Sequence, residues 1–166
     1  MRKPRSFALA TVFAALLWAP SAWSQDIQDL EKTLQRLAKD AIPKTVLVKA
    51  LVDGGRMGAG SGAIISADGY ILTCSHVVEV GKTLEIVLSD GKAYEGLLLG
   101  RNKRQDYALV KIDAANLPHF RVGDSDTVKP GDWAVALGHP GGPYPDVQPA
   151  FAAGRIVALD KKLPVG

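Results

Sequence analysis

The first hydrophobic pattern in the chain has the spacing of a helix. Apolar residues recur three and four positions apart in residues 26–41, at Ile27, Leu30, Leu34, Leu37 and Ala41. Residues at this spacing share one face of a helix, so the segment is predicted to be helical. Asp26 can cap its first turn and Pro43 stops its continuation. We expect the apolar face to pack on the body of its own domain, because the stripe is short for a coiled coil with a partner.

From Thr45 onward, short apolar or alternating runs separated by turn residues predict strands. The runs cover residues 45–52, 61–66, 70–73, 84–88, 94–99 and 107–112. Asp68-Gly69 and Asp90-Gly91 are typical of tight hairpin turns, because glycine accepts the positive φ that such turns need. Six strands at this spacing predict an all-β unit, either an antiparallel barrel or a sandwich.

The last quarter of the chain predicts a second, smaller group of strands. Residues 116–130 are rich in turn formers and fit a connector. Strands are predicted at 133–137 and 153–159, with a Gly/Pro-rich loop at 138–149 between them. Apolar faces on these strands are expected to be left uncovered by the rest of the chain.

Charge is concentrated at the N-terminus. The chain of 166 residues has a net charge of +3, and Arg2, Lys3 and Arg5 are the only charged residues among the first 24. An apolar run and the small residues Ala22 and Ser24 follow, which completes the pattern of a secretory signal peptide over 1–24. The run is too short for a stable membrane anchor. The rest of the chain is neutral and has no basic stripe for nucleic acid. The protein is therefore expected to be exported, to the periplasm or outside the cell.

A disulfide framework and a metal or phosphate motif are not indicated. The sequence holds one cysteine, Cys74, and three histidines. Cys74, His76, His119 and His139 lack the spacing of known metal motifs, so no metal is expected. The glycines of residues 54–62 are not followed by the Lys-Ser/Thr pair of a phosphate loop. No cofactor is implied.

Two residues at strand ends are candidates for acid–base chemistry. His76 follows the predicted strand 70–73, and Asp106 stands at the start of a buried strand. An acid in that position is costly unless it is hydrogen-bonded, and a histidine would satisfy it. Such a pair would also set the tautomer of the imidazole. Taken alone, a histidine in this position is more often an ordinary residue than a catalyst.

Several motifs together resemble the DegP/HtrA group of trypsin-like serine proteases. They are GSGAIISADGYILT at 60–73, HVV at 76–78, LSDG at 88–91, DYALVKI at 106–112, GDSD at 123–126 and GDWAVALGHPGG at 131–142. The resemblance runs from about residue 42 to 159. It implies a trypsin-like double β-barrel with His76 as the general base and Asp106 as the residue that orients it. The domain plan is then a signal peptide (1–24), a helical segment (25–43), a complete first barrel (44–115), a connector (116–130) and the incomplete start of a second barrel (131–166).

The family's nucleophile motif, Gly-x-Ser-Gly-Gly, does not occur in the sequence. Ser125 in GDSD lacks the glycine that the motif needs, Ser61 lies between glycines at a strand start, and Ser75 should point away from His76 on an extended chain. Cys74 is a further candidate nucleophile if its pKa is lowered. The family's oxyanion hole belongs to the same motif. We expect the 166 residues to be inactive alone, and the natural product to be longer.

The sequence is thus identified as the N-terminal portion of an exported serine endopeptidase. Its substrates would be proteins or peptides, such as misfolded exported proteins. Family members often trimerise through N-terminal elements, so the helix at 26–41 is a candidate contact in a homo-oligomer. Two alternatives stay open: a non-catalytic, protease-like binding domain of the cell envelope, and a purely structural exported module. Neither explains why both His76 and Asp106 are present.

Overall fold

A computed structural model describes residues 22–52, 57–79, 81–140 and 148–159. Most of the predicted signal peptide and the centre of the loop at 138–149 lie outside these ranges. The chain divides into two compact units, Met1–Gln35 and Arg36–Gly166. Helix α1 covers Ala22–Ala41 and contributes to both units. It is not long and apolar enough to cross a membrane, and neither is any other helix in the described ranges.

The predicted helix is present, but its start was placed too late. α1 begins four residues before Asp26, so Asp26 lies inside the helix and is not its cap. The end was predicted correctly, because Pro43 falls in the 3₁₀ turn Ile42–Lys44 that follows. In the second unit, Ala41 is buried whereas Leu37 is 45% exposed. Packing of the remaining apolar stripe stays a prediction.

Six strands form a closed antiparallel barrel, which confirms the barrel over the sandwich. The strands are β1 (Thr45–Leu51), β2 (Met57–Ile64), β3 (Tyr70–Thr73), β4 (Thr83–Val87), β5 (Ala93–Asn102) and β6 (Tyr107–Lys111). Their order around the barrel is β1-β2-β3-β6-β5-β4. β5 is longer than predicted, because an irregularity between Leu98 and Gly100 lets it continue along β6. Such a bulge adds a residue without ending the pairing.

The interior of the barrel is the hydrophobic core. Alternate residues of β3 and β6 are buried, as the twofold period of a strand requires, whereas the first four residues of β1 are all buried. Val48, Ile64, Ile71, Ile86 and Val110 are fully buried there. A short helix, α2 (Ser75–Glu79), follows β3 and adds buried valines to the same cluster. This helix was not predicted, because five residues are too few to show a helical period.

Both predicted hairpin turns are present at glycines. Gly69 has φ +96° between β2 and β3, and Gly91 has φ +86° between β4 and β5. The amide of Gly69 donates to the Ser66 carbonyl at 3.2 Å, and that of Gly91 donates to the Leu88 carbonyl at 2.9 Å. Aspartate-glycine pairs therefore set the strand register, as the sequence indicated.

The two glycines provide a matched test of turn strain against packing. Gly91→Ala is expected to cost about 1–2 kcal/mol, because an L-residue is strained at positive φ and nothing lies near the added methyl group. Gly69→Ala is expected to cost about 2–5 kcal/mol, since its Cβ would also lie 2.6 Å from the Ile112 carbonyl oxygen. Urea unfolding of the two variants measures the difference. Equal losses would mean that Ile112 moves aside without cost.

A second, two-stranded antiparallel sheet follows the barrel. It consists of β7 (Trp133–Gly138) and β8 (Ala150–Arg155). β8 was predicted three to four residues too late, since Ile156 and Val157 already lie beyond it. The connector lacks strands as predicted and holds a 3₁₀ turn at Ser125–Thr127. Val157 is 87% exposed, so an uncovered apolar side chain is present, although it follows the sheet.

Candidate active site

Strand pairing brings the two candidate residues to one end of the barrel. β3 and β6 are antiparallel neighbours, and Thr73 at the end of β3 lies opposite Ala108 near the start of β6. The chain leaving β3 and the chain entering β6 are therefore adjacent. His76 lies three residues after Thr73, and Asp106 lies directly before β6.

His76 and Asp106 are joined by two hydrogen bonds. Nδ1 of His76 lies 2.7 Å from Oδ2 of Asp106, and the backbone N–H of His76 donates to Oδ1 at 2.9 Å. The two side chains are 69% and 47% exposed. The carboxylate is thus held at both oxygens while the imidazole remains open to solvent.

The surroundings of both residues differ from the sequence prediction. His76 lies in helix α2 and not on an extended segment. Asp106 is a turn residue with φ +54°, a left-handed conformation that aspartate tolerates better than most residues. The sequence predicted that the carboxyl group of Asp106 would be buried at a cost in free energy. This prediction was wrong, because about half of the Asp106 side chain is exposed. The turn, and not burial, aims the carboxylate at His76.

Helix α2 is anchored on both sides of His76. Ser75, Val77 and Val78 are buried around the exposed histidine. Val77 packs directly over Gly60 of β2, where an added Cβ would lie 2.5 Å from its Cγ2. At the end of the helix, the Glu79 carboxylate lies 2.7 Å from Nζ of Lys103. The backbone of His76 is therefore positioned by core packing, while its exposed imidazole is held by Asp106.

Asp106 remains ionised to a lower pH than an ordinary aspartate, because its pKa is lowered. The backbone N–H of His76, followed by its side chain, hydrogen-bonds the carboxylate and holds the pKa of Asp106 below its ordinary value of 3.8. Hydrogen bonds to the charged form stabilise that form. Asp106 is therefore a carboxylate throughout the pH range in which a histidine titrates.

The lowered pKa predicts how Asp106 contributes to stability as pH changes. A folded-state pKa below the unfolded value means that the contribution is present above pH ~3.8 and is lost as pH falls through the folded value. Asp106→Asn should therefore lower the midpoint of thermal unfolding at neutral pH. The gap, meaning the difference in midpoint between the variant and the unsubstituted chain, should narrow in acid. Thermal unfolding monitored by circular dichroism across this range measures the gap. A gap that stays constant into acid would contradict the assignment.

Cys74 lies beside the pair but lacks the property of a nucleophile. Burial, with a smaller effect of the Asp106 charge, raises the pKa of the Cys74 thiol. A reactive cysteine needs a lowered pKa, because the thiolate is the attacking species. The structure therefore argues against Cys74 as a thiol nucleophile.

The three serines considered as nucleophiles have other environments. The hydroxyl of Ser61 accepts the backbone N–H of His139 at 2.7 Å, which ties β2 to the end of β7. Ser75 is fully buried, whereas the neighbouring His76 is exposed. Its side chain points away from His76 because successive residues of a helix face different directions, and not because the chain is extended. Ser125 begins the 3₁₀ turn of the connector. The Ser61 hydroxyl is engaged by the His139 amide, and the Ser75 hydroxyl is buried.

A cavity of about 470 Å³ opens next to the pair, between the barrel and β7. Ser61, Leu72 and Phe120 line it from the barrel and connector, and Val135 and Leu137 line it from β7. Cys74 and Asp106 line the side of the cavity that is nearest to His76. The apolar face of β7, which was expected to be uncovered, is half-buried at Val135 and Leu137 and is turned toward this cavity.

One grouping was missed by the analysis of motif spacing. One donor atom from each of Cys74, His76 and Asp106 lies within 4.8 Å of the other two. Spacing rules find ligands close in sequence, whereas Asp106 is 30 residues from His76. A metal site here could not have been recognised without the pairing of β3 with β6.

Comparison with known proteins identifies the family. The family model for the trypsin-like peptidase domain matches residues 60–165, more than half of the chain. The chain is 36% identical over 143 residues, 84% of its length, to a protein of Pseudomonas fulva named "Probable periplasmic serine endoprotease DegP-like". It is 41% identical over 111 residues, 67% of its length, to a protein of the same name from Marinomonas sp.. It spans only 29% and 23% of the length of these two curated relatives.

Solved structures agree on both the fold and the type of protease. The HtrA-type protease AlgW, solved with a tripeptide, has a TM-score of 0.68 and is 31% identical; the match covers 75% of this chain and 40% of AlgW. A serine endoprotease from Yersinia pestis has a TM-score of 0.66 at 34% identity, covering 75% of this chain and 44% of its own. The six-stranded barrel thus has its counterparts among DegP/HtrA proteins, and the chain belongs to the trypsin-like peptidase family.

Proposed function

We propose that this chain carries the general base and its orienting carboxylate for an exported serine endopeptidase. The observation that supports this most directly is the 2.7 Å contact between His76 Nδ1 and Asp106 Oδ2, backed by the second bond from the His76 amide. A histidine held by a carboxylate through Nδ1 is the arrangement that serine peptidases use.

The contact determines which nitrogen of His76 can act. When Nδ1–H donates to Asp106, the lone pair of the neutral imidazole lies on Nε2. Nε2 would take the proton from a serine hydroxyl as its oxygen attacks the peptide carbonyl. Asp106 would stabilise the imidazolium formed, and Nε2–H would then protonate the departing amine. The low pKa of Asp106 keeps the carboxylate charged for both steps.

The nucleophile is not among the candidates in this sequence. No Gly-x-Ser-Gly-Gly motif occurs in the 166 residues. Ser61 and Ser75 are occupied or buried, as described above. We infer that these residues alone do not hydrolyse peptides, and that activity requires a serine and an oxyanion hole supplied by a further segment.

The location and substrates follow from the N-terminus and the relatives. Residues 1–24 would act as a signal peptide, and two relatives carry the word periplasmic in their names. Unfolded or misfolded exported proteins are the proposed substrates. Contact between helices at residues 26–41 would support a homo-oligomer. No cofactor takes part in the proposed chemistry.

The first experiment is to purify the natural gene product from its source and to measure its intact mass and its peptidase activity. The proposal expects cleavage of an unfolded protein, blocked by a reagent that labels catalytic serines, and a mass above that of residues 25–166. The 166-residue chain, made separately, should cleave nothing. A natural product with the mass of residues 25–166 that is inactive would overturn the endopeptidase and support the protease-like binding domain.

A further inference from the structure

Cys74 adds a soft ligand to the His–Asp pair. It lies two residues before His76, and donor atoms of Cys74, His76 and Asp106 all lie within 4.8 Å of one another. Cys74 is half-buried at the border of the cavity, whereas His76 and Asp106 are exposed. Sulfur, imidazole nitrogen and carboxylate oxygen therefore converge at one point that solvent can reach.

We propose that Cys74, His76 and Asp106 bind a divalent cation of the zinc class. Zinc takes thiolate, imidazole and carboxylate ligands at about 2.0–2.3 Å, which places the ligands roughly 3.3–3.8 Å apart. Atoms at the 4.8 Å limit would need to approach by about 1.0–1.5 Å, whereas Nδ1 of His76 and Oδ2 of Asp106, which are 2.7 Å apart, would need to separate by about 0.6 Å. The side chains of His76 and Asp106 are 69% and 47% exposed, so they can make this adjustment. Three protein ligands leave a fourth position for water.

The donor set selects among cations. Calcium and magnesium prefer oxygen ligands throughout, and this site offers a single carboxylate. Thiolate and imidazole favour zinc and its neighbours in the first transition series. The metal must displace a proton from the Cys74 sulfur, which lowers the apparent affinity at neutral pH.

Binding would remove the base that His76 provides; this consequence rests on the proposed function. In the pair, Nδ1 is the nitrogen that faces Asp106. A metal between Nδ1 and the carboxylate would leave the proton of the neutral imidazole on Nε2. Nε2 could then no longer accept a proton from a serine. Zinc would therefore act as a reversible inhibitor that occupies the catalytic pair itself.

The other histidines provide an internal control. The sequence has one cysteine and three histidines, so alternative soft ligands are few. His119 is exposed in the connector, where its Nδ1 lies 3.2 Å from the Leu117 carbonyl. Adventitious binding to a surface histidine would be lost in His119→Ala and kept in Cys74→Ser. The proposed site predicts the reverse.

The test is titration of the 166-residue chain with zinc chloride by calorimetry, in excess magnesium, and with cobalt(II) by absorbance. We expect one equivalent of zinc and, with cobalt, a sulfur-to-metal charge-transfer band. Cys74→Ser should abolish the band and weaken zinc binding at least about tenfold. Asp106→Asn should also weaken it, and His119→Ala should not. Thermal unfolding of each variant confirms that it is folded.

The experiment distinguishes failure of the proposed zinc site from failure of the proposed peptidase function. Absence of zinc binding, or equal affinity in Cys74→Ser, overturns the metal site and leaves the proposed function unaffected. Zinc binding by the chain together with full activity of the natural enzyme at saturating zinc would overturn the inhibitory role. The inhibitory role is supported if zinc at the same concentration abolishes the activity and a chelator restores it. The activity of the Cys74→Ser enzyme should then not respond to zinc.

Discussion

Replacing His76 with alanine is expected to lower kcat of the natural enzyme by about 10⁶-fold, and Asp106→Asn by about 10⁴-fold. His76 is the group proposed to move the proton, whereas Asp106 only orients and stabilises it. Asparagine keeps the left-handed backbone of residue 106 and the size of its side chain. It removes the charge and permits the wrong imidazole tautomer. The order of the two losses therefore tests the roles assigned to the residues.

Steady-state hydrolysis of a peptide substrate measures both effects. His119→Ala is the matched control, because it removes an exposed histidine that lies in the connector and should leave the rate unchanged. His76→Ala keeps the backbone N–H that donates to Asp106 and loses only the bond of an exposed side chain, so its unfolding midpoint should fall only slightly. A His76→Ala enzyme that retains its rate would contradict the proposed base.

The second large effect is expected in the barrel core. Ile71→Ala should lower the free energy of unfolding by about 2–5 kcal/mol, because the deleted atoms leave a cavity in a closed barrel. Ile71 is fully buried, pairs with Ile64 and Val110 on the neighbouring strands, and packs over Gly62. Domains of this size are stabilised by roughly 5–15 kcal/mol in total, so the loss would be a large part.

The adjacent residue supplies the control for this substitution. Leu72 lies on the same strand with its side chain turned outward and is 42% exposed. Leu72→Ala should cost clearly less than Ile71→Ala, because Leu72 is partly exposed and lines an open cavity, so that its removal leaves no closed void in the core. Urea unfolding of both variants gives the comparison. Similar losses at both positions would mean that the strand does not alternate between core and surface as described.

Ile71 also connects stability to the site. Two residues of β3 separate it from the segment that leads into His76, and its partner strand β6 begins directly after Asp106. A barrel that opens at β3 and β6 would therefore separate the base from its carboxylate. The integrity of this strand pair is a condition for any activity that depends on the two residues.

Local patterns were sufficient for much of the fold. The apolar runs of β1 and β6 and the Asp-Gly turns at residues 69 and 91 depend on neighbouring residues, so their elements were recognised within a few residues. The family motifs likewise indicated the barrel and drew attention to His76 and Asp106. Elements without a strong local period were missed or misplaced. Helix α2 is too short to show a period, and β8 was shifted toward the more apolar residues that follow it.

The sequence alone determined the strand segments, the turns and the residue types able to move a proton. Only the tertiary structure decided that β3 pairs with β6, which joins residues 30 positions apart. That pairing depends on closing the barrel, an event that no local pattern encodes. It places the carboxylate of Asp106 against Nδ1 of His76, close to Cys74, the third ligand of the proposed metal site. Burial of Cys74 in the folded chain raises the pKa of its thiol. Distance in space, not in sequence, sets these properties because electrostatic and coordination interactions act over a few ångströms.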